Sequence, residues 1–423
     1  MNEVICYPRC CVPEFYEEDK YYFEMFSTPE KKASNVGYVG TQFFKEIRKS
    51  KILPTETVFD FAIIAMAVVA ADKAILRANS QDGWTRQIRL TVYLHNSQKW
   101  NAVKKDFEWM LRFLSGDFWY LNLKSLPESL LPKKKYELRT QDCICLLSGG
   151  MDSLTGAIDL YESNKNPLFV SQLVKGDAQH QRDYAALFGT DNLCQWRCYV
   201  GKTGQSEIST RTRSIIFYAF ALLASCSIDF NERGRKEIFV PENGFISLNT
   251  PLDPLRIGSL STKTTHPVYM QSMQKIWNEM GLDVDLALPY KHRTKGEVLL
   301  NCKNFELMKE NIFGSTSCGK YQRHGMRHCG VCIPCLVRRA AFQKAGLNDM
   351  TENGYCVDVV KNADSKDVAA AIFAIRQLEK YGIEKVIKGT LNFAEEEDWE
   401  EYTGVVKRGL VEIKEFLESQ GVL

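Results

Sequence analysis

No stretch of this sequence is apolar for long enough to cross a bilayer. The best candidate, Phe61 to Ala71 (FAIIAMAVVAA), falls well short of the ~20 residues a membrane helix needs and runs into Asp72 and Lys73. The N-terminus, MNEVICYPRC, has none of the basic, apolar and small-residue succession of a signal peptide. An excess of one charge is also missing. Lys and Arg number 54 against 52 Asp and Glu, a net charge of +2, which argues against a protein whose main task is a non-specific grip on nucleic acid. Internal repeats and low-complexity tracts are absent as well. The expected setting is cytoplasmic, where the 14 cysteines are thiols or metal ligands rather than disulfides.

What is present reads as a globular chain of two or three domains, with 423 residues, 45% hydrophobic and 25% charged. Residues 1 to about 55 show no periodicity, and Cys6, Cys10 and Cys11 there have no matching second pair. Val58 to Leu76 is apolar nearly all round, which predicts a buried helix. Gln87 to Leu94 alternates, with Ile88, Leu90, Val92 and Leu94 on one face, and predicts a half-buried strand. Trp100 to Leu114 returns to helical spacing and Phe118 to Leu123 to a strand. Trp84, Trp100, Trp109 and Trp119 read as core anchors. These features predict an α+β N-terminal domain over residues 1–135. A proline-containing polar run, Ser125 to Thr140, reads as a linker.

Beyond it, strand and helix alternate: strands at Cys143 to Leu147, Leu168 to Val174, Leu193 to Val200 and Glu237 to Val240, helices at Leu154 to Ser163, Gln181 to Leu187 and Arg213 to Cys226. That alternation predicts an α/β domain over residues 141–350 with a parallel sheet, its ligands at the carboxyl ends of the strands. Residues 351–423 read as a helical C-terminal segment.

The first strand is followed by CLLSGGMDSLTGA (145–157). Gly149 and Gly150 let the backbone approach a phosphate, the next helix offers free N–H groups, and Ser148 and Ser153 add hydroxyls. Asp152 suits a bridging magnesium ion. No lysine follows the glycines, so this is not a Walker loop, and Gly149, Gly150 and Gly156 do not fit G-x-G-x-x-G. Ser148 to Ser153 matches S-G-G-x-D-S, the pattern of the PP-loop ATP pyrophosphatases. The resemblance implies an adenine nucleotide alpha hydrolase-like fold. It also implies ATP bound by its β- and γ-phosphates, attack of a substrate oxygen on the α-phosphorus, and departure of pyrophosphate.

The second strong pattern is SCGKYQRHGMRHCGVCIPCLVRRAAF (317–342). Cys318, Cys329, Cys332 and Cys335 offer four thiolates on one tight loop, which suits a closed, structural zinc site within 318–335. A redox-active pair and an iron–sulfur cluster are the other readings, and His328 or His324 would substitute if Cys318 were no ligand.

A PP-loop followed by such a cluster resembles QueC, the 7-cyano-7-deazaguanine synthase family. That family's C-G-x-C-x-x-C, arginine and A-F are seen here as Cys329 to Cys335, Arg338 or Arg339, and Ala341-Phe342. Lys175-Gly176 and Gln179-His180 look like its Y-G-Q-x-H turn, with one residue inserted and the tyrosine absent. Arg213-Ser214 is similar to its R-N/S helix start. The resemblance covers roughly residues 142–345. It implies that Gly176, His180 and Arg213 join Ser148, Gly149, Gly150, Asp152 and Ser153 at ATP and magnesium, with Asp152, Ser153 and Lys295 catalytic. The hydroxyl-rich segment 241–267 and the segment 289–299 offer Asn243, Arg256, Ser261, Thr262 and His266 for an acidic, purine-like substrate.

Those segments, with W-T-R-x-I-x-L-x-V (Trp84 to Val92) and L-x-F-L-x-G-D-x-W (Leu111 to Trp119), resemble the longer QueC-like proteins of bacterial anti-phage defence, of the Qat and type IV CBASS kinds. The implied function is ATP-dependent adenylation of a 7-deazaguanine carboxylate and its capture by an amine, conjugating the deazaguanine to a partner protein. A plain nitrile synthase using ammonia, a tRNA-modifying PP-loop enzyme and a non-catalytic nucleotide-binding component are the alternatives. Expected partners are a 7-deazaguanine-type small molecule and a protein of the same defence operon, with a homodimer as an option. Membrane is not expected, and nucleic acid is disfavoured. Expected cofactors are ATP, magnesium and zinc.

Overall fold

The computed structural model describes residues 1–30, 33–173, 176–252, 263–359, 364–387, 391, 393 and 396–423. The N-terminal unit holds strands β1 (Asn2–Tyr7), β2 (Lys20–Met25), β3 (Val36–Val39), β4 (Gln87–Leu94) and β5 (Phe118–Ser125). Its helices are α1 (Phe43–Lys49), α2 (Glu56–Ala74), α3 (Ser97–Ala102) and α4 (Lys104–Ser115). The strands pair in the order β5-β4-β1-β2-β3, every neighbour parallel. This corrects the expected α+β arrangement: helices lie between β3 and β4 and between β4 and β5, and such crossovers return the chain in the same direction. The apolar face of β4 is as expected, with Ile88, Leu90, Val92 and Leu94 all fully buried, although Thr91 on the opposite face is buried as well. Helix α2 starts at Thr55, whose hydroxyl accepts from the Val58 N–H at 3.4 Å. It is buried nearly all round because it packs on β4 to one side and on a helix of the second unit to the other.

The second unit carries β6 (Cys143–Leu146), β7 (Pro167–Gln172), β8 (Leu193–Trp196), β9 (Val200–Gly201), β10 (Lys236–Phe239) and β11 (Val284–Ala287). Its helices are α5 (Met151–Tyr161), α6 (Ala178–Ala186), α7 (Ile215–Ser225), α8 (Gly244–Leu248), α9 (Pro267–Glu279), α10 (Lys295–Leu300), α11 (Phe305–Asn311) and α12 (Ile333–Lys344). Its sheet runs β11-β10-β6-β7-β8, all parallel. The expected strand Leu193 to Val200 is in fact two: β8 ends at Trp196, and β9 crosses to pair antiparallel with β3. One hydrophobic core runs through both units, with α2 against α7 and α7 on β6 and β7. The last helices, α13 (Lys366–Tyr381), α14 (Ile383–Ile387) and α15 (Glu396–Ser419), build a second core with α8 and α12. No helix among the described residues is long and apolar enough to cross a membrane.

Two of the four tryptophans are not core anchors. Trp100 and Trp119 are buried, but Trp84 is 45% and Trp109 51% exposed. Trp84 lies over the Arg211 guanidinium, 5.2 Å from its ring centre, and Trp109 stacks on Phe113.

A buried cluster of four charges joins the units. Arg86 bridges Asp72 at 2.5 Å and Asp117 at 2.7 Å, and Arg77 meets Asp117 at 2.9 Å. Burial pushes Asp117 up, but Arg86 and Arg77 outweigh it and hold the carboxyl below its ordinary range. The other oxygen of Asp72 accepts from the Arg211 N–H, the Thr212 N–H and the Thr212 hydroxyl at 2.8, 2.9 and 2.7 Å. Asp117→Asn leaves two buried guanidinium groups short of a counter-charge and is expected to cost about 3–5 kcal/mol. Asp106→Asn, at the exposed and solvent-screened pair with Lys275, should leave the unfolding midpoint nearly unchanged. Urea unfolding of both variants checks this, and equal midpoints would refute it.

Candidate active site

The strand order reverses between β6 and β10, where an open parallel sheet leaves a crevice beyond its strand ends. A cavity of about 540 Å³ lies there, lined by Leu146 and Ser148 after β6 and by Val240 and Glu242 after β10. Gly149 takes φ +90°, a conformation that costs glycine little. Gly150 stands at the N-cap of α5 with no side-chain cap, so the first N–H groups and the positive end of an 11-residue helix stay available to an anion. The Ser153 hydroxyl donates to the Gly150 carbonyl at 2.9 Å and lies 3.2 Å from that of Ser148. This is a cradle that fits the terminal phosphates of ATP.

Asp152, on the first turn of α5, is buried and doubly held. One oxygen meets the Lys295 ammonium at 2.7 Å, and the other accepts from the Asn243 backbone and side chain at 3.2 and 2.7 Å. Burial, and then the charge of Asp152, push Glu242 up to about 8, with Lys295 opposing. Asp152 and Glu242 set two carboxyl groups side by side near the glycine turn, oxygen donors that fit magnesium once Glu242 is deprotonated.

Lys295 opens α10 through a capping box. The Thr294 hydroxyl accepts from the Glu297 N–H at 3.1 Å, and the Glu297 carboxylate accepts from the Thr294 N–H at 2.9 Å. Helix α15 braces this turn. Glu412 accepts from the Thr294 hydroxyl and, at 3.3 Å, from the Gly296 N–H, while Arg408 pairs with Glu297 at 2.5 Å. Burial raises Glu412 to about 7. The helical tail therefore holds the turn that delivers Lys295.

The sulfurs of Cys318, Cys329, Cys332 and Cys335 all lie within 4.8 Å of one another. Cys318 and Cys332, and Cys329 and Cys335, are 3.8 Å apart. Four sulfurs ~2.3 Å from a common centre in a tetrahedron are about 3.8 Å apart, so the set fits zinc. Backbone N–H groups of Lys320 and Cys329 point at the Cys318 sulfur at 3.3 Å each. The cluster is tied to the glycine turn. The Thr316 N–H donates to the Gly149 carbonyl at 3.0 Å, and fully buried Arg338 on α12 donates to the Phe313 and Ser315 carbonyls at 3.1 and 2.8 Å. Residues Cys318 to Arg323 then form one wall of the cavity.

The likeness is to 7-cyano-7-deazaguanine synthases. Over 81 residues the chain is 37% identical to the synthases of Brucella ovis, Brucella canis and Brucella abortus, a stretch that covers 19% of this chain and 32% of each relative. The chain thus spans about a third of the length of the curated relatives it matches. No family model and no solved structure matches it. The match supports a QueC-like relationship.

Of the other expected site residues, Arg213 lines the cavity. Gly176, at φ +102°, sits against Tyr321 and Met326 of the cysteine loop. His180 packs on Gly314 and stays out of the cavity lining. Asn243 is turned to Asp152 and caps α8 by accepting from the Ile246 N–H at 3.1 Å. His266 caps α9 and lies between Phe113 and Phe393, 5.0 Å from each ring. Burial, then Lys263, lowers it to about 3. The structure thus gives Asn243 and His266 neighbours other than the cavity, while Thr264 and Thr265 line it. Arg256, Ser261 and Thr262 lie outside the described residues. His328 is buried, accepts from the Ser317 N–H at 3.2 Å and is lowered to about 4, chiefly by burial; His324 is exposed. Sequence reasoning missed Glu242, Arg211 and Tyr321 as cavity residues. Glu242 and Tyr321 fall inside the segments 241–267 and 317–342 that the sequence singles out, and Arg211 lies two places before Arg213.

Proposed function

We propose that this chain uses ATP to adenylate the carboxylate of a 7-deazaguanine-type acid and passes the activated acyl group to an amine. The observation that carries this is the meeting, at one cavity, of the Ser148–Ser153 turn, the wall of the cysteine loop and, just behind the turn, the Asp152–Lys295 pair. The partial match to 7-cyano-7-deazaguanine synthases supports the substrate class. A carboxylate oxygen bonds to the α-phosphorus as the bond to the β-phosphate oxygen breaks, and pyrophosphate leaves. An amine nitrogen then bonds to the acyl carbon, loses its proton to solvent or a base, and AMP leaves.

Ser148, Ser153 and the α5 N-terminus receive the leaving pyrophosphate, whose charge grows as the bond breaks. Lys295 stands beside Asp152 to meet the same charge. Asp152 and Glu242 would hold magnesium, which when bound neutralises the polyphosphate. The setting we favour is anti-phage defence, with an amine on a partner protein as acceptor. The N-terminal motifs Trp84 to Val92 and Leu111 to Trp119 support it.

The test is pyrophosphate release from ATP, magnesium and 7-carboxy-7-deazaguanine. It should be present in the wild type and reduced by about 10²- to 10³-fold in Asp152→Ala. No acid-dependent pyrophosphate from the wild type would end the proposal. A mass shift on a co-expressed partner distinguishes the protein acceptor from ammonia.

A further inference from the structure

Among the described residues, Arg211 is a buried cation that the site as described leaves without a role. It is 7% exposed, lines the same cavity as Ser148 and Ser153, and pairs with no described carboxylate. The nearby acids, Asp72 and Asp117, are bonded to Arg86 and Arg77. Asp72 reaches the Arg211 segment only through backbone N–H groups and the Thr212 hydroxyl, fixing where the side chain starts without neutralising it. The Trp84 ring covers one side of the guanidinium. A second cation stands close: Lys263, its ammonium 4.1 Å from the centre of the Phe113 ring, is lowered by burial and then by Arg211. An arginine does not shed its proton in such a place, and a buried charge with no partner among the described residues is costly. The site is therefore arranged for an anion that comes and goes.

We propose that Arg211 is the carboxylate anchor of the acid substrate, held in place by the N-terminal unit, and distinct from the phosphate cradle. The planar guanidinium fork matches a carboxylate with two parallel N–H bonds. Phe217 and Tyr218 offer aromatic lining beside it, suited to a flat ring system. The phosphate cradle lies on the turn after β6, whereas Arg211 enters ahead of α7, so one cavity has two anion sites fed by different elements. The β-sheet unit that the QueC resemblance does not reach thus supplies substrate selection: Asp72, at the end of α2, sets the position of Arg211. This rests on the adenylation reading for the identity of the acid.

The experiment uses the full chain with Arg211→Gln and Arg211→Lys. Calorimetric titration measures ATP and 7-carboxy-7-deazaguanine separately, alongside pyrophosphate release at varied acid concentration. For Arg211→Gln the acid should bind about 10- to 150-fold more weakly, the worth of a hydrogen bond to a charged group, with ATP affinity within about threefold of wild type. Arg211→Lys should fall between, and melting curves report whether each variant is folded. Equal acid affinity in wild type and variants, a parallel loss of ATP affinity, or no acid binding by the wild type would each overturn the anchor. Arg211-dependent binding of the acid without pyrophosphate release would instead leave the anchor standing and sink the adenylation reading.

Discussion

Lys295→Met is expected to slow pyrophosphate release by about 10²- to 10³-fold, the usual effect of removing one group aimed at developing charge. The ammonium lies 2.7 Å from Asp152 at the first turn of α10, where the Thr294–Glu297 capping box and the α15 side chains Glu412 and Arg408 leave it little freedom. Lysine is a compact charge on a long stem, so arginine should not replace it well. The same substitution leaves Asp152 and Glu242 facing each other without their shared cation, at a stability cost of about 3–5 kcal/mol.

The pH dependence follows from Glu242, which is raised to about 8 by burial and then by Asp152. A carboxyl raised in the folded state binds a proton that the unfolded chain has released. Its contribution to stability is therefore full below the unfolded value, near 4.5, and is lost as pH climbs through the folded value. Removing Lys295 moves the folded value higher and widens that window, so the penalty of Lys295→Met should be larger at pH 8 than at pH 6. Asp152→Asn combined with Lys295→Met removes the unpaired charge and should recover most of the stability and none of the activity. Urea unfolding at the two pH values and a pyrophosphate assay read both effects. Lys295→Met activity within tenfold of wild type would refute the role.

How much of this was legible in the sequence depended on how local each feature is. Strand β4 and helix α2 were legible because their apolar patterns repeat within a few residues. The cysteine cluster was legible because its four thiols fall within one short loop, and the glycine turn because six consecutive positions carry it, Ser148 to Ser153. Strands β1 to β3 were missed. In β1 and β2, Val4, Cys6, Tyr7, Tyr22, Phe23 and Met25 are buried on both faces, so no two-residue alternation marks them, and β3 has only four residues. The parallel order of the first sheet could not be read either, since a strand's direction is set by how the chain connects it to its neighbours and not by its own residues. Arg211 and Asp72 are 139 positions apart, and Glu412 and Thr294 118. Nothing in the local pattern of any of the four announces its partner. For His266 the hydroxyl-rich neighbours in sequence are legible, whereas its place at the N-terminus of α9, between two aromatic rings, is set by folding.

Cys329→Ser should abolish zinc binding and with it the fold around the cavity. A structural zinc site contributes on the order of 10–16 kcal/mol to a small domain, more than the ~5–15 kcal/mol margin of a folded protein. Here the energy acts on more than the loop itself. The cluster fixes the start of α12, α12 carries Arg338, and Arg338 and Thr316 hold the 313–317 segment against Gly149. Without the metal, the wall formed by Cys318 to Arg323 loses its anchor, and the glycine turn loses its clip. The expected result is one zinc per chain in the wild type by elemental analysis. Cys329→Ser should hold none, melt at least about ten degrees lower or fail to remain soluble, and lose ATP binding. Cys356→Ser is the control, because Cys356 is exposed and neighbours the site only through its backbone bond to the His328 carbonyl; it should keep the metal, the melting temperature and ATP affinity. A wild-type protein that carries iron and absorbs near 400 nm, or a Cys329→Ser variant that keeps full ATP affinity, would show that these four sulfurs are not a structural zinc site.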